Sequence, residues 1–140
     1  MLDNKLVIDI PKGMEVDVEK SDLKAGIIAF KKKEISYADV LSALAGKGVC
    51  PADIKVPEMI AGKIIALARL MTIAKYYNGD WKPDWYSQEY KHNIMRTSEY
   101  GITSCGNYNE GAIYFKNKED AQAVIDNPNF RSILDAIYKD

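Results

Sequence analysis

One histidine, His92, and two cysteines, Cys50 and Cys105, are the whole supply of soft metal ligands and near-neutral bases in this 140-residue chain. A hydrolytic or metal-dependent enzyme usually draws on several such groups at motif spacing. Here no CxxC or HxxxH brings any two together; only convergence in space could make a thiolate pair or three zinc ligands of Cys50, His92 and Cys105. The cysteines lie far apart in sequence, which fits free thiols in a reducing compartment better than a disulfide framework. Excess charge of one sign is also missing. The formal charge is −1, and residues 1 to 70 carry 11 basic and 10 acidic side chains against 8 and 10 in residues 71 to 140. Nothing in that balance draws the chain toward nucleic acid or an anionic membrane from a distance. Long apolar runs are absent as well. Residues 59 to 77 come nearest, but Lys63, Arg69 and Lys75 interrupt them, each costly at a bilayer centre. The start, Met1-Leu2-Asp3-Asn4-Lys5, has no basic, apolar and small-residue succession of a signal peptide. A cytoplasmic protein with no membrane partner is expected.

The composition, 47% hydrophobic and 28% charged, is that of a globular protein, and the length suits one domain spanning 1–140. Alternation of Leu6, Ile8 and Ile10 with Lys5, Val7 and Asp9 predicts a strand over about 5–10. Met14, Val16 and Val18 alternate with acids and suggest a short edge strand, and Ile27-Ile28-Ala29-Phe30 a further strand whose solvated end is Lys31-Lys32-Lys33. Ser36 followed by Asp39 reads as a capping box for a short helix that stops at Gly46. Gly46-Lys47-Gly48 lacks the upstream glycine and the hydroxyl of a phosphate loop.

Pro57-Glu58 opens a long helix over about 57–77, closed by Asn78-Gly79. On a helical wheel Met59, Ile60, Ile64, Leu67, Leu70, Met71 and Ala74 share its apolar arc, with Lys63 in the middle of that arc as a stem that snorkels. Beyond it, Tyr90–Thr97, Tyr100–Cys105 and Ala112–Phe115 read as three strands of an antiparallel meander. Asn117 caps a helix carrying Ala121, Val124 and Ile125, and a last helix presents Phe130, Ile133, Leu134 and Ile137. The class is α+β: a small, largely antiparallel sheet with a long central helix and two C-terminal helices.

Ten of the fourteen aromatic residues lie between Tyr76 and Phe115, and both tryptophans sit in the turn Gly79-Asp80-Trp81-Lys82-Pro83-Asp84-Trp85-Tyr86. Such a cluster is either a wedge between helix and sheet or an exposed platform for stacking and partner binding. The platform candidates are Trp81, Trp85, Tyr86, Tyr90 and Tyr108. Asp80 and Asp84 resemble paired carboxylates, but both stand at turn positions that favour aspartate. Gly111–Ala121 resembles the third strand and second helix of an RNA recognition motif, yet Glu110 stands where a basic residue is wanted, Ala112 where an aromatic is wanted, and a helix closes the chain.

A further resemblance covers about residues 58 to 138. Tyr77-Asn78-Gly79-Asp80-Trp81-Lys82-Pro83-Asp84-Trp85, the strand from Tyr90, and Ile113-Tyr114-Phe115-Lys116-Asn117-Lys118-Glu119-Asp120-Ala121 resemble a family of small uncharacterised proteins of phages, prophages and mobile elements of gut Bacteroidetes. The resemblance implies an accessory role in phage or mobile-element biology and brings no catalytic residues.

The residues themselves suggest a non-catalytic binding module for protein or single-stranded nucleic acid. A small enzyme with a pocket of Cys105, His92 and nearby tyrosines, or a homo-oligomeric assembly component, are the alternatives. No metal, nucleotide or flavin cofactor is expected to be needed for folding, because the motifs that hold them are missing. The purified protein is therefore expected to be colourless and to keep its melting temperature in a chelator. A chelator-induced drop would point first at Cys50, His92 and Cys105.

Overall fold

The computed structural model describes residues 7–44 and 55–139. Among them the fold is α+β, with four α-helices and two separate two-stranded antiparallel sheets. Their contacts divide the chain into two compact units, one ending at Glu34 and the other beginning at Ile35.

In the first unit β1 (Met14–Val16) pairs antiparallel with β2 (Phe30–Lys32), Val16 opposite Phe30. Turn chemistry holds it. The Asp17 carboxylate accepts from Lys20 N at 3.2 Å, and the Ser21 hydroxyl donates to Asp17 O at 2.6 Å while accepting from Ala29 N at 3.0 Å. No apolar side chain is fully buried among the unit's described residues. The strand expected at 5–10 is not formed over 7–10, and Lys5 and Leu6 lie outside the described residues. Alternation alone does not make a strand without a partner to take its hydrogen bonds, and Val7 and Ile10 stay exposed. The strand expected at Ile27–Phe30 starts at Phe30 instead, because Ile27 makes a lone bridge to Asp22 around the intervening turn. Lys31 and Lys32 are thus within the strand, Lys31 opposite Glu15.

The second unit holds the core. The Ser36 hydroxyl accepts from Asp39 N at 3.1 Å and Asp39 Oδ2 from Ser36 N at 2.8 Å, the reciprocal cap that starts α1 (Tyr37–Leu44). Gly46, Lys47, Gly48 and Cys50 lie outside the described residues. The long helix α2 (Glu58–Asn78) ends where Gly79, at φ +60°, turns its N–H back to Lys75 O at 3.0 Å. That conformation is open to glycine and strained for any side chain. Its buried residues are Ala66, Leu70, Ile73 and Ala74. The apolar arc is therefore rotated from the expected one: Met59, Ile60 and Met71 are exposed, and Leu67 is half-buried. Lys63 lies on the same side as Ala66 and Leu70 but is exposed, ahead of the first buried residue of the helix.

β3 (Lys91–Arg96) and β4 (Tyr100–Cys105) form the hairpin, with Lys91 opposite Cys105 and Arg96 opposite Tyr100. The third strand expected at 112–115 is reduced to one bridge, Phe115 exchanging both backbone hydrogen bonds with His92 at 2.7 and 3.0 Å. Beyond it, Ile94 O accepts from the Tyr138 hydroxyl at 3.0 Å, so a side chain takes the place of the next rung. α3 (Lys118–Asp126) buries Ala121, Val124 and Ile125. A 3-10 turn (Pro128–Phe130) and α4 (Arg131–Tyr138) bury Phe130, Ile133, Leu134 and Ile137, the expected face. Asn127, itself buried, fastens this corner by donating to Ile35 O at 2.9 Å and accepting from Asn129 N at 3.0 Å.

Leu70, 1% exposed, sits in one cluster with Ile73, Phe115, Phe130 and Leu134. Leu70→Ala is expected to cost about 2 to 5 kcal/mol in denaturant titration. Leu67 borders a cleft of about 230 Å³ beside Ile137 and Tyr138, and Leu67→Ala is expected to cost less than about 2 kcal/mol. Equal losses at the two positions would mean that the helix face is misoriented.

Candidate functional site

Where α2 ends, the side chain of Asn78 takes the role of a strand neighbour. Its Nδ2 donates to Tyr114 O at 2.8 Å and its Oδ1 accepts from Lys116 N at 3.0 Å. The helix terminus and the 112–116 segment are thereby held at a fixed spacing. Gly79 redirects the chain, Trp81 N donates to Asn78 O at 3.1 Å, and Pro83 stiffens the approach to the next turn. Between these parts lies an open groove of about 360 Å³, walled by Met71, Ala74, Trp81, Pro83, Ala112 and Ile113, with Lys75 and Asn78 as its polar members. Lys75 Nζ donates to Gly79 O at 2.7 Å.

After Pro83 the turn is built by aspartate and serine. Asp84 Oδ1 accepts from Tyr86 N at 2.9 Å and Ser87 Oγ from Glu89 N at 3.0 Å. Asp80 is fully exposed, with a 3.9 Å approach to Lys75. Asp84 thus serves the backbone as the sequence suggested, while Asp80 stands at an exposed corner near Lys75.

Lys91 is the unexpected part. It is 1% exposed, yet among the described residues no carboxylate pairs with it. Its Nζ donates to Gly106 O at 2.7 Å and to Ser87 O at 3.1 Å, and stands 5.1 Å from the centre of the Trp85 ring. Two carbonyls and an aromatic face thus take the place of water around the ammonium. Trp85 in turn packs edge-on against Tyr114 at 5.0 Å between ring centres. The Tyr114 hydroxyl accepts from Glu110 N at 2.8 Å. Burial, and the Cys105 thiol beside it, push the pKa of Tyr114 up, against the opposing effect of that N–H.

The five aromatic candidates are therefore placed differently. Trp85 is half-buried against Tyr114 and Lys91, outside the core cluster rather than wedged between helix and sheet, and Trp81, also half-buried, forms a wall of the groove. Tyr86, Tyr90 and Tyr108 are 100%, 65% and 55% exposed and have no ring partner among the described residues. Lys91 ties their two loops together by holding Ser87 and Gly106. Sequence reading missed Met71, Asn78, Ala112 and Ile113 as groove residues. Spacing carried a signal for the helical ones, since Met71, Lys75 and Asn78 recur along one side of α2.

The hairpin separates the groups of the enzyme reading. Lys91 and Cys105 share one face of the sheet, while His92 and Ser104 point to the other. Cys105 is a buried free thiol, and His92 Nδ1 meets Ser104 Oγ at 2.6 Å. Burial first, then Lys118, lower the pKa of His92, with Glu119 opposing. Among the described residues no three His, Cys, Asp or Glu side chains are placed to hold a metal ion, and no helix is long and apolar enough to cross a membrane.

No protein-family model, no curated protein and no solved structure matches this chain.

Removing the ammonium should loosen both loops at once. Lys91→Ala is expected to cost about 2 to 4 kcal/mol, because two carbonyls lose a charged donor and Trp85 loses its support. Lys91→Met keeps the apolar stem and should cost less. The Trp85 emission should shift to the red in the alanine variant; an unchanged spectrum and melting temperature would show that the ammonium does not anchor the turn.

Proposed function

We propose that this chain is a non-catalytic binding module that takes an apolar segment of a protein partner against the groove of Trp81 and Pro83, with Tyr86, Tyr90 and Tyr108 supplying further contact. One observation carries the reading: an aromatic-walled groove whose two sides are pinned by Asn78. A pre-set groove spares a ligand much of the ordering cost that loops otherwise exact on binding. Its lining of methionine, proline, tryptophan and isoleucine suits aliphatic or aromatic side chains.

Local charge favours protein over single-stranded nucleic acid. Between Lys75 and Tyr90 the chain carries Lys75 and Lys82 against Asp80, Asp84 and Glu89. A phosphodiester backbone would meet net repulsion where it would need a basic track. An accessory role in a phage or mobile element, in the cytoplasm of the host, belongs to the same proposal. It is supported by the likeness of the Trp-Lys-Pro-Asp-Trp segment, the strand from Tyr90 that follows it and the later Ile113–Ala121 stretch to that family.

Trp81 and Trp85 should part company under mutation. Trp81→Ala is expected to leave the melting temperature nearly unchanged and to weaken binding of an apolar peptide by tenfold or more, the loss typical of an aromatic anchor. Trp85→Ala should destabilise the protein. Titrations of tryptophan fluorescence with an apolar peptide library, single-stranded DNA and single-stranded RNA at several salt concentrations decide the ligand class. Binding of the nucleic acids alone, weakening as salt rises, would replace the protein reading; no response to any of them would remove the groove as the functional surface.

A further inference from the structure

At the turn end of the hairpin, α4 faces β3 and β4 with a charged stripe. Arg131 and Asp135 are one turn apart on α4, and Lys139 comes one turn later, so all three lie along one side. Tyr100 reaches across to them. Its hydroxyl donates to Asp135 Oδ1 at 2.7 Å, while its ring lies under two guanidinium groups, that of Arg131 at 5.0 Å and that of Arg96 at 5.7 Å. Asp135 Oδ1 both accepts from Tyr100 and pairs with Lys139 at 3.3 Å. That hydrogen bond from Tyr100 is the main cause holding the Asp135 carboxyl below its usual range, while burial and then Asp135 push Tyr100 up to about 12.

The two arginines are neutralised less directly, Arg131 through the nearby charge of Asp135. Among the described residues neither makes an ion pair, and Arg131 uses one nitrogen to donate to Ile125 O at 3.0 Å. They border a cleft of about 350 Å³ together with Ser98, Glu99, Tyr100 and Lys139. Arg96, Arg131 and Lys139 around the cleft outnumber the carboxylates of Glu99 and Asp135, and a dianion between the two arginines would offset that excess. A guanidinium stacked by its face also keeps its edge N–H donors free, in the fork that fits two oxygens of a tetrahedral oxyanion.

We propose that this cleft binds a phosphate group. Arg96 and Arg131 supply the forked donors and the Ser98 hydroxyl a further one. The remaining volume accommodates a sugar-sized body, and Glu99 is placed in the same cleft to accept from its hydroxyls. The site shares no residue with the aromatic groove and stands independently of the function proposed for it.

The test is a titration of the full chain with inorganic phosphate and, separately, with ribose 5-phosphate at low ionic strength, followed by amide NMR shifts. Saturable shifts are expected at residues 96 to 100 and 131 to 139. Arg96→Gln, which removes a guanidinium with no hydrogen bond of its own among the described residues, should weaken binding by tenfold or more. Arg131→Gln should do the same, with the circular dichroism spectrum reporting whether the lost bond to Ile125 O disturbs the fold. Arg69→Gln, which removes a guanidinium lying over the Tyr37 ring instead, should change nothing. Tighter binding of ribose 5-phosphate, abolished by Glu99→Gln, assigns a sugar phosphate; equal affinities assign the free ion. Absence of saturation by about 10 mM of either compound, or an affinity that Arg96→Gln leaves intact, would overturn the site.

Discussion

A buried ammonium is the constraint on which the aromatic region depends. Placing a lysine side chain out of water costs several kcal/mol unless its donors are met, and Lys91 meets them with Ser87 O, Gly106 O and the Trp85 ring. Those two carbonyls belong to different loops, so satisfying one charge fixes two chain segments that the hairpin alone would leave independent. The consequences form a closed path. Trp85 rests on Tyr114, Tyr114 precedes Phe115, and Phe115 pairs with His92, the neighbour of Lys91. Because adjacent strand residues point to opposite faces, Lys91 holds the turn on one side while His92 and Ile94 share the side that meets the core.

The groove arises from how α2 stops. A helix end leaves carbonyls and a direction of exit to be settled, and Gly79 settles both by a backbone conformation closed to other residues. Asn78 then spends its amide on Tyr114 and Lys116 rather than on the helix. That choice keeps the 112–116 segment beside the helix end and leaves Trp81 and Pro83 opposite Ala112 and Ile113. The rigid wall and the exposed tyrosines thus have different origins: the first is pinned by side-chain hydrogen bonds, the second is displayed on loops held by Lys91.

Much of the second unit was legible because its signals are local. The Ser36 and Asp39 cap, the proline and glycine that bracket α2, and the spacing of Phe130, Ile133, Leu134 and Ile137 each act within a few residues. Pairing is not local, and there the reading slipped. Ala112–Phe115 has strand composition but a single bridge, since Tyr138 takes the carbonyl of Ile94 that a full strand would have used. The apolar arc of α2 was misplaced because Met59, Ile60 and Met71 are apolar without being buried, so composition could not distinguish the core side from a flank. Lys91 was invisible for the same reason: nothing at that position announces that two distant carbonyls and a tryptophan will surround it.

The two ends of one hairpin show how the same attraction between a cation and an aromatic ring leads to opposite outcomes. At the Lys91 end the ammonium is a compact charge whose donors point in all directions, so once two carbonyls and a ring have met them nothing remains for a ligand. At the Arg96 end the charge is planar. Guanidinium groups lie over the Tyr100 ring and, apart from the Arg131 bond to Ile125 O, keep N–H donors for a ligand, and Tyr100 is itself held by Asp135, which also pairs with Lys139. Exchanging the chemistry of the two ends would fail for that reason: an arginine at 91 would leave edge donors unmet in a buried site, and lysines at 96 and 131 would offer point charges in place of forks. The first end is therefore closed and structural, while the second keeps donors in hand.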